Sequence, residues 1–268
     1  MEQNRPEPRR TLPPAQRRRR HRIRLVRNWT VFLLSCGAMM AVMTGGILWL
    51  LPKAYALIAP PTAFEAREYT GGAETDLSDA RLVLVNGNLP LTEEPTPELA
   101  VADEATGVSL EAEAAAAYRQ MAEAARQDGI ELVLTAGHQD AAARQSAYEA
   151  AVQSYREAGS KEEDAAAKAA TVQPAPEVSE YATGYAADIL AADSLEENTG
   201  FADTRAYEWL SAYAAEYGFI LRWPQERQAA TGMVFEPWHW RYVGRDNALA
   251  IRASDLSLEE YLALEQTK

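Results

Sequence analysis

The sequence predicts an α+β fold, a small antiparallel sheet flanked by helices, preceded by one transmembrane helix. Three observations carry this reading. Short apolar runs such as Leu132-Val133-Leu134-Thr135 and Phe219-Ile220-Leu221 have strand length and follow glycines. Longer Ala-rich stretches stop at Gly129, Gly159 and Gly218, where a helix would end in a left-handed residue. An uncharged apolar run from Trp29 to Leu51 is long enough to cross the ~30 Å hydrocarbon layer at ~1.5 Å per residue.

The charge is distributed around that run. Residues 1–28 hold ten Arg against Glu2 and Glu7, a net +8, which leaves −21 on the remainder of a chain whose total is −13. Arg17 to Arg20, Arg22, Arg24 and Arg27 place this basic tail in the cytoplasm by the positive-inside rule, with Trp29 and Trp49 as interfacial anchors. The acidic C-terminal part is then extracytoplasmic. Ala54-Tyr55-Ala56 would suit a signal-peptide cleavage site, but the apolar run exceeds the ~7–15 residues of such a region, and an uncleaved signal-anchor is expected. A juxtamembrane position already accounts for the Arg cluster, so no nucleic-acid partner is expected. The single cysteine, Cys36, excludes an intrachain disulfide.

From Pro52 to Ser78 the chain carries Pro60-Pro61 and Gly71-Gly72 without periodicity, which reads as a stalk and leaves 79–268 as the folded domain. Within it, Ser109 is expected to cap a helix through Gln127, followed by a strand over Leu132 to Thr135. Asp140 to Glu157 reads as a helix. Ser160 and Glu163 form a capping box for a shorter helix to about Thr171. Pro174 and Pro176 enforce an extended approach to a strand over Tyr185 to Leu190, from which Asp188 projects. Thr204 to Tyr217 is a helix packed through Trp209 and Tyr213, and Phe219 to Leu221 with Trp240 to Val243 complete the sheet.

Two segments carry the chemistry: Ser179-Glu180-Tyr181-Ala182-Thr183-Gly184-Tyr185-Ala186-Ala187-Asp188, and Glu236-Pro237-Trp238-His239-Trp240-Arg241-Tyr242-Val243-Gly244. A carboxylate such as Asp188 inside an apolar strand needs a partner if buried. The pair resembles the motifs of the VanY-type D-alanyl-D-alanine carboxypeptidases, zinc D,D-peptidases that trim bacterial cell-wall stem peptides. Those motifs read Ser-x-His-x-x-Gly-x-Ala-x-Asp and Glu-x-Trp-His-x-Arg-Tyr-Val-Gly. The resemblance implies a D,D-peptidase/hedgehog-like fold. It also implies a zinc ion held by two His and one Asp, with the Glu as general base on a metal-bound water.

A catalytic zinc takes three protein ligands and an open water position, and it lowers that water's pKa until a carboxylate can take the proton. By the resemblance, Asp188 and His239 are ligands and Glu236 is the base, while Tyr181 stands where the first His belongs. A phenol with a pKa near ~10 must lose a proton that neutral His does not have to lose. Zinc is therefore expected to be weak or absent.

A second departure lies in Ala136-Gly137-His138-Gln139-Asp140, which resembles the family's Ser-Gly-Tyr-Arg-Ser turn with Gln139 in place of the substrate-side Arg. Gln145 is matched to the family's Gln after that turn. Ser179, Gln139, Gln145 and His138 are the expected substrate-side residues, with His138 also able to complete a metal shell. Leu82-Val83-Leu84-Val85-Asn86 resembles the family's opening strand, and the likeness runs from about Asp79 to the C-terminus. The expected function is a membrane-anchored pseudoenzyme of peptidoglycan metabolism that binds stem peptides or an envelope protein. The alternatives are an active zinc D,D-carboxypeptidase with a modified metal shell and a purely structural envelope protein.

Overall fold

A four-stranded antiparallel sheet carries both motifs. In the computed structural model the described residues are 75–267 together with Trp29, Leu33, Phe64, Ala66 and Tyr69. Contacts divide the chain into two units, Met1–Ala63 and Phe64–Lys268; the fold below is that of the second. The basic tail, nearly all of the expected membrane helix and most of the expected stalk lie outside the described residues. Among the described residues no helix is long and apolar enough to cross a membrane.

Strands β1 (Leu99–Val101) and β2 (Ser109–Glu111) form a separate hairpin. The main sheet has β3 (Leu132–Ala136), β4 (Ala186–Ala191), β5 (Phe219–Leu221) and β6 (His239–Tyr242) in the order β3-β4-β6-β5. Every residue of β4 is buried, as a central strand covered on both faces requires. Its register sets Asp188 opposite His239 on β6 and opposite Ala136 on β3. Cross-strand neighbours sit only ~4.5–5.5 Å apart at Cβ, so pairing alone brings the carboxylate and the imidazole together.

Helix α1 (Ala112–Gln127) packs Tyr118 and Met121 against Leu134 and Ile189 of the sheet, and α4 (Arg205–Tyr213) adds Trp209 and Leu210 to this core. The Trp209 and Tyr213 rings meet at 5.2 Å, as their spacing on one helix face predicts. A second cluster joins Leu82, Ile220 and Val243 to Leu249 and Ile251 of α5 (Arg245–Ser254) and Leu258, Tyr261 and Leu262 of α6 (Leu258–Glu265). Helices α2 (Ala141–Glu157) and α3 (Glu162–Ala169) form a hairpin with its own small core around Val152, Ala165 and Ala169.

Four local expectations are corrected. Ser109 does not cap α1, because residues 109–111 pair with β1; the Glu111 carboxylate accepts the N–H groups of Glu113 and Ala114 instead. Ser160 does not cap α3, which begins after Lys161 with no side-chain cap. The Ser160 hydroxyl accepts from Lys168 Nζ, and Glu162, Glu163 and Asp164 supply negative charge at the helix start. Leu82 to Asn86 is not a strand. It follows a 3-10 turn over Ala80–Leu82 and ends where the Asn86 side chain accepts from the N–H groups of Asn88 and Leu89. The expected helix from Thr204 ends as α at Tyr213 and continues as a 3-10 turn over Ala214–Tyr217 to Gly218.

Gly184 closes the 3-10 turn Glu180–Thr183 that holds Tyr181, with φ at +74° and its carbonyl accepting from Glu111 N–H at 2.9 Å. A Cβ there would stand 2.9 Å from that same nitrogen. Gly184→Ala is expected to destabilise the domain by about 2–4 kcal/mol, from left-handed strain plus the clash, measured by chemical denaturation.

Candidate functional site

Tyr181, Asp188, Glu236 and His239 converge, each less than 8% exposed. The Tyr181 hydroxyl lies 2.7 and 2.8 Å from the two Asp188 carboxylate oxygens and 3.0 Å from His239 Nδ1. His239 Nδ1 is itself 2.7 Å from Asp188 Oδ1, and its Nε2 is 2.9 Å from Glu180 Oε1. Trp223 stacks flat on the imidazole at 4.0 Å with 9° between the planes, fixing the ring's orientation.

Sequence reasoning gave Glu180 no role, yet its carboxylate is bonded to three residues, Arg222, Arg241 and His239. Its Oε2 accepts from Arg222 Nε at 3.0 Å and from Arg241 Nη1 at 3.1 Å. Arg222 goes on to a two-pronged pair with Glu259 on α6. The signal was present in the sequence: Glu180, Arg222 and Arg241 are charges beside or within apolar runs, where each needs a partner.

Electrostatics follow from burial and pairing. Burial alone would raise Glu180, but Arg222 and Arg241, then His239, hold it far below the usual carboxylate range. Burial would lower His239, and the hydrogen bonds to Asp188 and Glu180 outweigh it, raising its pKa to about 9. The ring is then an imidazolium that donates to a carboxylate from each nitrogen. Burial pushes Glu236 up to about 8, opposed by His239 and reinforced by Asp188 and Glu197. The Tyr181 phenol is driven well above its ordinary value by burial and then by Asp188, so its oxygen keeps its proton. Glu197, exposed as a residue, accepts from the Thr135 hydroxyl, and its carboxylate is raised by partial desolvation and then by Asp188.

The remaining expected residues separate into two groups. Ser179 is fully buried with its hydroxyl unpartnered, and Gln139 donates its backbone N–H to the Tyr181 carbonyl at 3.2 Å while its buried Oε1 has no partner. His138 and Gln145 stand apart. His138, half-buried, is lowered by burial and then by Arg144, and it is not a hydrogen-bond partner of Tyr181, Asp188 or His239. Gln145 is on the exposed face of α2 and donates to Glu149 one turn on. Its neighbour Arg144 is the buried residue, bonded to Glu94, to the Gln139 carbonyl and to the Pro176 carbonyl.

The family model described as VanY, D-alanyl-D-alanine carboxypeptidase, matches residues 107–245. The chain belongs to the VanY family. A D-alanyl-D-alanine carboxypeptidase of Enterococcus faecalis is 32% identical over 197 residues, covering 74% of this chain and 71% of that protein. VanYB in complex with D-alanine-D-alanine superposes with a TM-score of 0.63 at 30% identity, over 69% of this chain and 98% of that one. A variant of the vancomycin-resistance D,D-pentapeptidase VanY in complex with Zn(II) gives 0.62 at 30% identity, over 69% and 99%. Zinc therefore occurs in the VanY family.

The donor set of this VanY-family chain does not fit a three-ligand zinc centre as arranged. Two ligands of one tetrahedral ion at ~2.1 Å stand roughly 3.4 Å apart. Asp188 Oδ1 and His239 Nδ1 are 2.7 Å apart and share a proton, with the Tyr181 hydroxyl closing the space between them. Among the described residues no group of three or more His, Cys, Asp or Glu is placed to hold a metal ion. What the arrangement provides is a hydrogen-bonded, charge-compensated cluster beside buried polar oxygens.

Both raised groups give stability the same pH dependence. Glu236, ordinarily 4.5, binds a proton in the fold up to about pH 8, so its contribution is full below 4.5 and is lost as pH rises through 8. His239, ordinarily 6.5, contributes fully below 6.5 and loses its contribution through about pH 9. Glu236→Gln removes the first of these losses. The variant is expected to gain roughly 4 kcal/mol on the unmodified chain at pH 8.5 relative to pH 5, read from denaturation curves at the two pH values.

Proposed function

We propose that this chain is a membrane-anchored, extracytoplasmic protein of the bacterial envelope that binds peptidoglycan stem peptides without hydrolysing them. The apolar run 29–51 behind an arginine-rich segment supports the anchor. Stem-peptide binding is supported by the structural likeness to VanYB holding D-alanine-D-alanine. The observation that carries the loss of hydrolysis is the Tyr181 hydroxyl, hydrogen-bonded to both Asp188 and His239 where the motif would supply a third metal ligand. With Nδ1 of His239 committed to Asp188, no lone pair faces an ion, and no polarised water is available for Glu236 to activate.

The mechanism is then recognition. The Gln139 N–H bonds the Tyr181 carbonyl, so the Ser179 to Tyr181 turn and the Gln139 turn stand side by side, and a peptide end is assigned to that edge of the domain. A second reading is a zinc D,D-carboxypeptidase with a modified metal shell. Glu236, buried near His239 and able to exchange a proton near neutral pH, favours it.

Elemental analysis of the purified full-length chain decides between them, beside Tyr181→His and His239→Ala. The expected result is little zinc and no D-alanine release from the unmodified chain, with a full equivalent of zinc in Tyr181→His. Stoichiometric zinc in the unmodified chain that His239→Ala abolishes, together with D-alanine release, would overturn the binding-module reading.

A further inference from the structure

We infer that Arg144 is the carboxylate-binding residue of this chain, and that Glu94 occupies it in the free protein until the carboxylate of a peptide end takes its place. The inference rests on the stem-peptide reading above and names the residue that receives that peptide's end and the contact that controls access to it.

Arg144 joins the two turns at the edge of the site. It stands in the N-terminal turn of α2 and is 2% exposed. Its Nε donates to the carbonyl of Pro176, on the approach to Ser179, at 3.1 Å, and its Nη1 donates to the Gln139 carbonyl at 2.6 Å. The Gln139 N–H donates in turn to the Tyr181 carbonyl. The Gln139 side chain brings no charge, and Arg222 and Arg241 are turned to Glu180, so the guanidinium at this edge is that of Arg144.

The rest of that guanidinium faces one carboxylate. Glu94 accepts from Nη1 at 2.9 Å and from Nη2 at 2.7 Å, the two-pronged geometry in which a guanidinium takes any carboxylate, a peptide C-terminus included. The pair is lopsided, with the Arg144 side chain 2% exposed and the Glu94 side chain 48%. Solvent therefore reaches the acid, and it is from the side of Glu94 that a ligand approaches the cation.

Glu94 is held lightly by its own chain. Residues 92–97 form no helix or strand and include Pro95 and Pro97, which have no N–H to give. The Leu91 N–H is bonded to the Glu177 carbonyl and the Glu98 carbonyl to the Ala112 N–H; between them no backbone hydrogen bond ties the stretch to other described residues. The contact with Arg144 is what pins it. Hydrogen bonding to Arg144 also holds the Glu94 carboxyl below its ordinary value, so the arm is charged when it is docked.

A ligand carboxylate exchanges with this arm like for like. A buried guanidinium stripped of its carboxylate is strongly destabilised, and among the described residues Glu94 is the one acid paired with Arg144. A peptide C-terminus restores both the charge and the two hydrogen bonds, while Glu94 moves into water. A carboxamide offers one acceptor oxygen and no charge, so it does not compete for the same place.

The test is calorimetric titration of the full-length chain and of Glu94→Gln with N-acetyl-D-Ala-D-Ala, once as the free acid and once as its C-terminal carboxamide. Gln keeps the size of Glu94 and one acceptor for Arg144 while removing the competing charge. Glu94→Gln is expected to bind the free acid about tenfold more tightly than the unmodified chain does, and to leave the affinity for the carboxamide unchanged. An unchanged or weaker affinity for the free acid, or equal gains for both ligands, would overturn Arg144 as the receiving residue while leaving stem-peptide binding intact. Binding of neither ligand by either protein would overturn the stem-peptide reading, and this site with it.

Discussion

Glu180 is the charge on which the rest of the site depends. It is 2% exposed, and each of its oxygens is engaged: one by His239, the other by both Arg222 and Arg241. Through these partners a single carboxylate ties the Ser179 turn to β5, to β6, to α6 by way of Glu259, and to the carbonyls of Arg81 and Val83 near the start of the described domain. Such a network adds little net stability over an apolar core of the same shape. Removing one member, however, strands its buried partners at about 3–5 kcal/mol. Its physical effect is to leave one arrangement open to the imidazole, with Nε2 on Glu180 and Nδ1 turned to Asp188.

That orientation gives Tyr181 its meaning. The ring nitrogen facing Asp188 is fixed from behind by Glu180 and from the side by the flat contact with Trp223. Whatever stands at position 181 meets a carboxylate and an imidazole already aimed at one point. A phenol meets both with a single oxygen, donating to Asp188 while lying within reach of Nδ1. Two carboxylates and one protonated imidazole then share their charge locally, which is why so much ionisable chemistry can be held away from water.

The sheet and most helices were legible in the sequence because their signals are local. Glycines at 129, 159 and 218 ended helices where expected, and the Asp140 cap and the strand before Gly137 were readable from type and spacing. The β1–β2 hairpin was not, because its strands are short and Leu99, Ala100 and Val101 are all apolar, leaving no apolar–polar alternation to read in β1 although burial alternates along both strands. It displaced Ser109 from the capping role that its residue type suggested. At the site, the motif brought Tyr181, Asp188, Glu236 and His239 together as read. It said nothing of Trp223 or Arg144, whose roles arise from contacts across long sequence distances. Nor did it separate Gln145 from Arg144, where one step along a helix turns a side chain by about 100°, from a buried position to open solvent.

The separation between scaffold and chemistry follows from which bonds do the folding. Asp188 faces His239 through backbone pairing of β4 and β6, and that register needs neither a metal nor any particular residue at 181. Gly184 and the 3-10 turn deliver the side chain at 181 to the same point whether it is a ligand or a hydrogen-bond donor. A phenol there satisfies the polar atoms that an ion would otherwise have to satisfy, so the substitution leaves no buried group orphaned within the cluster. Fold and site geometry can thus persist while the chemistry changes, which is why likeness to the VanY family gives this chain's architecture more directly than its reaction.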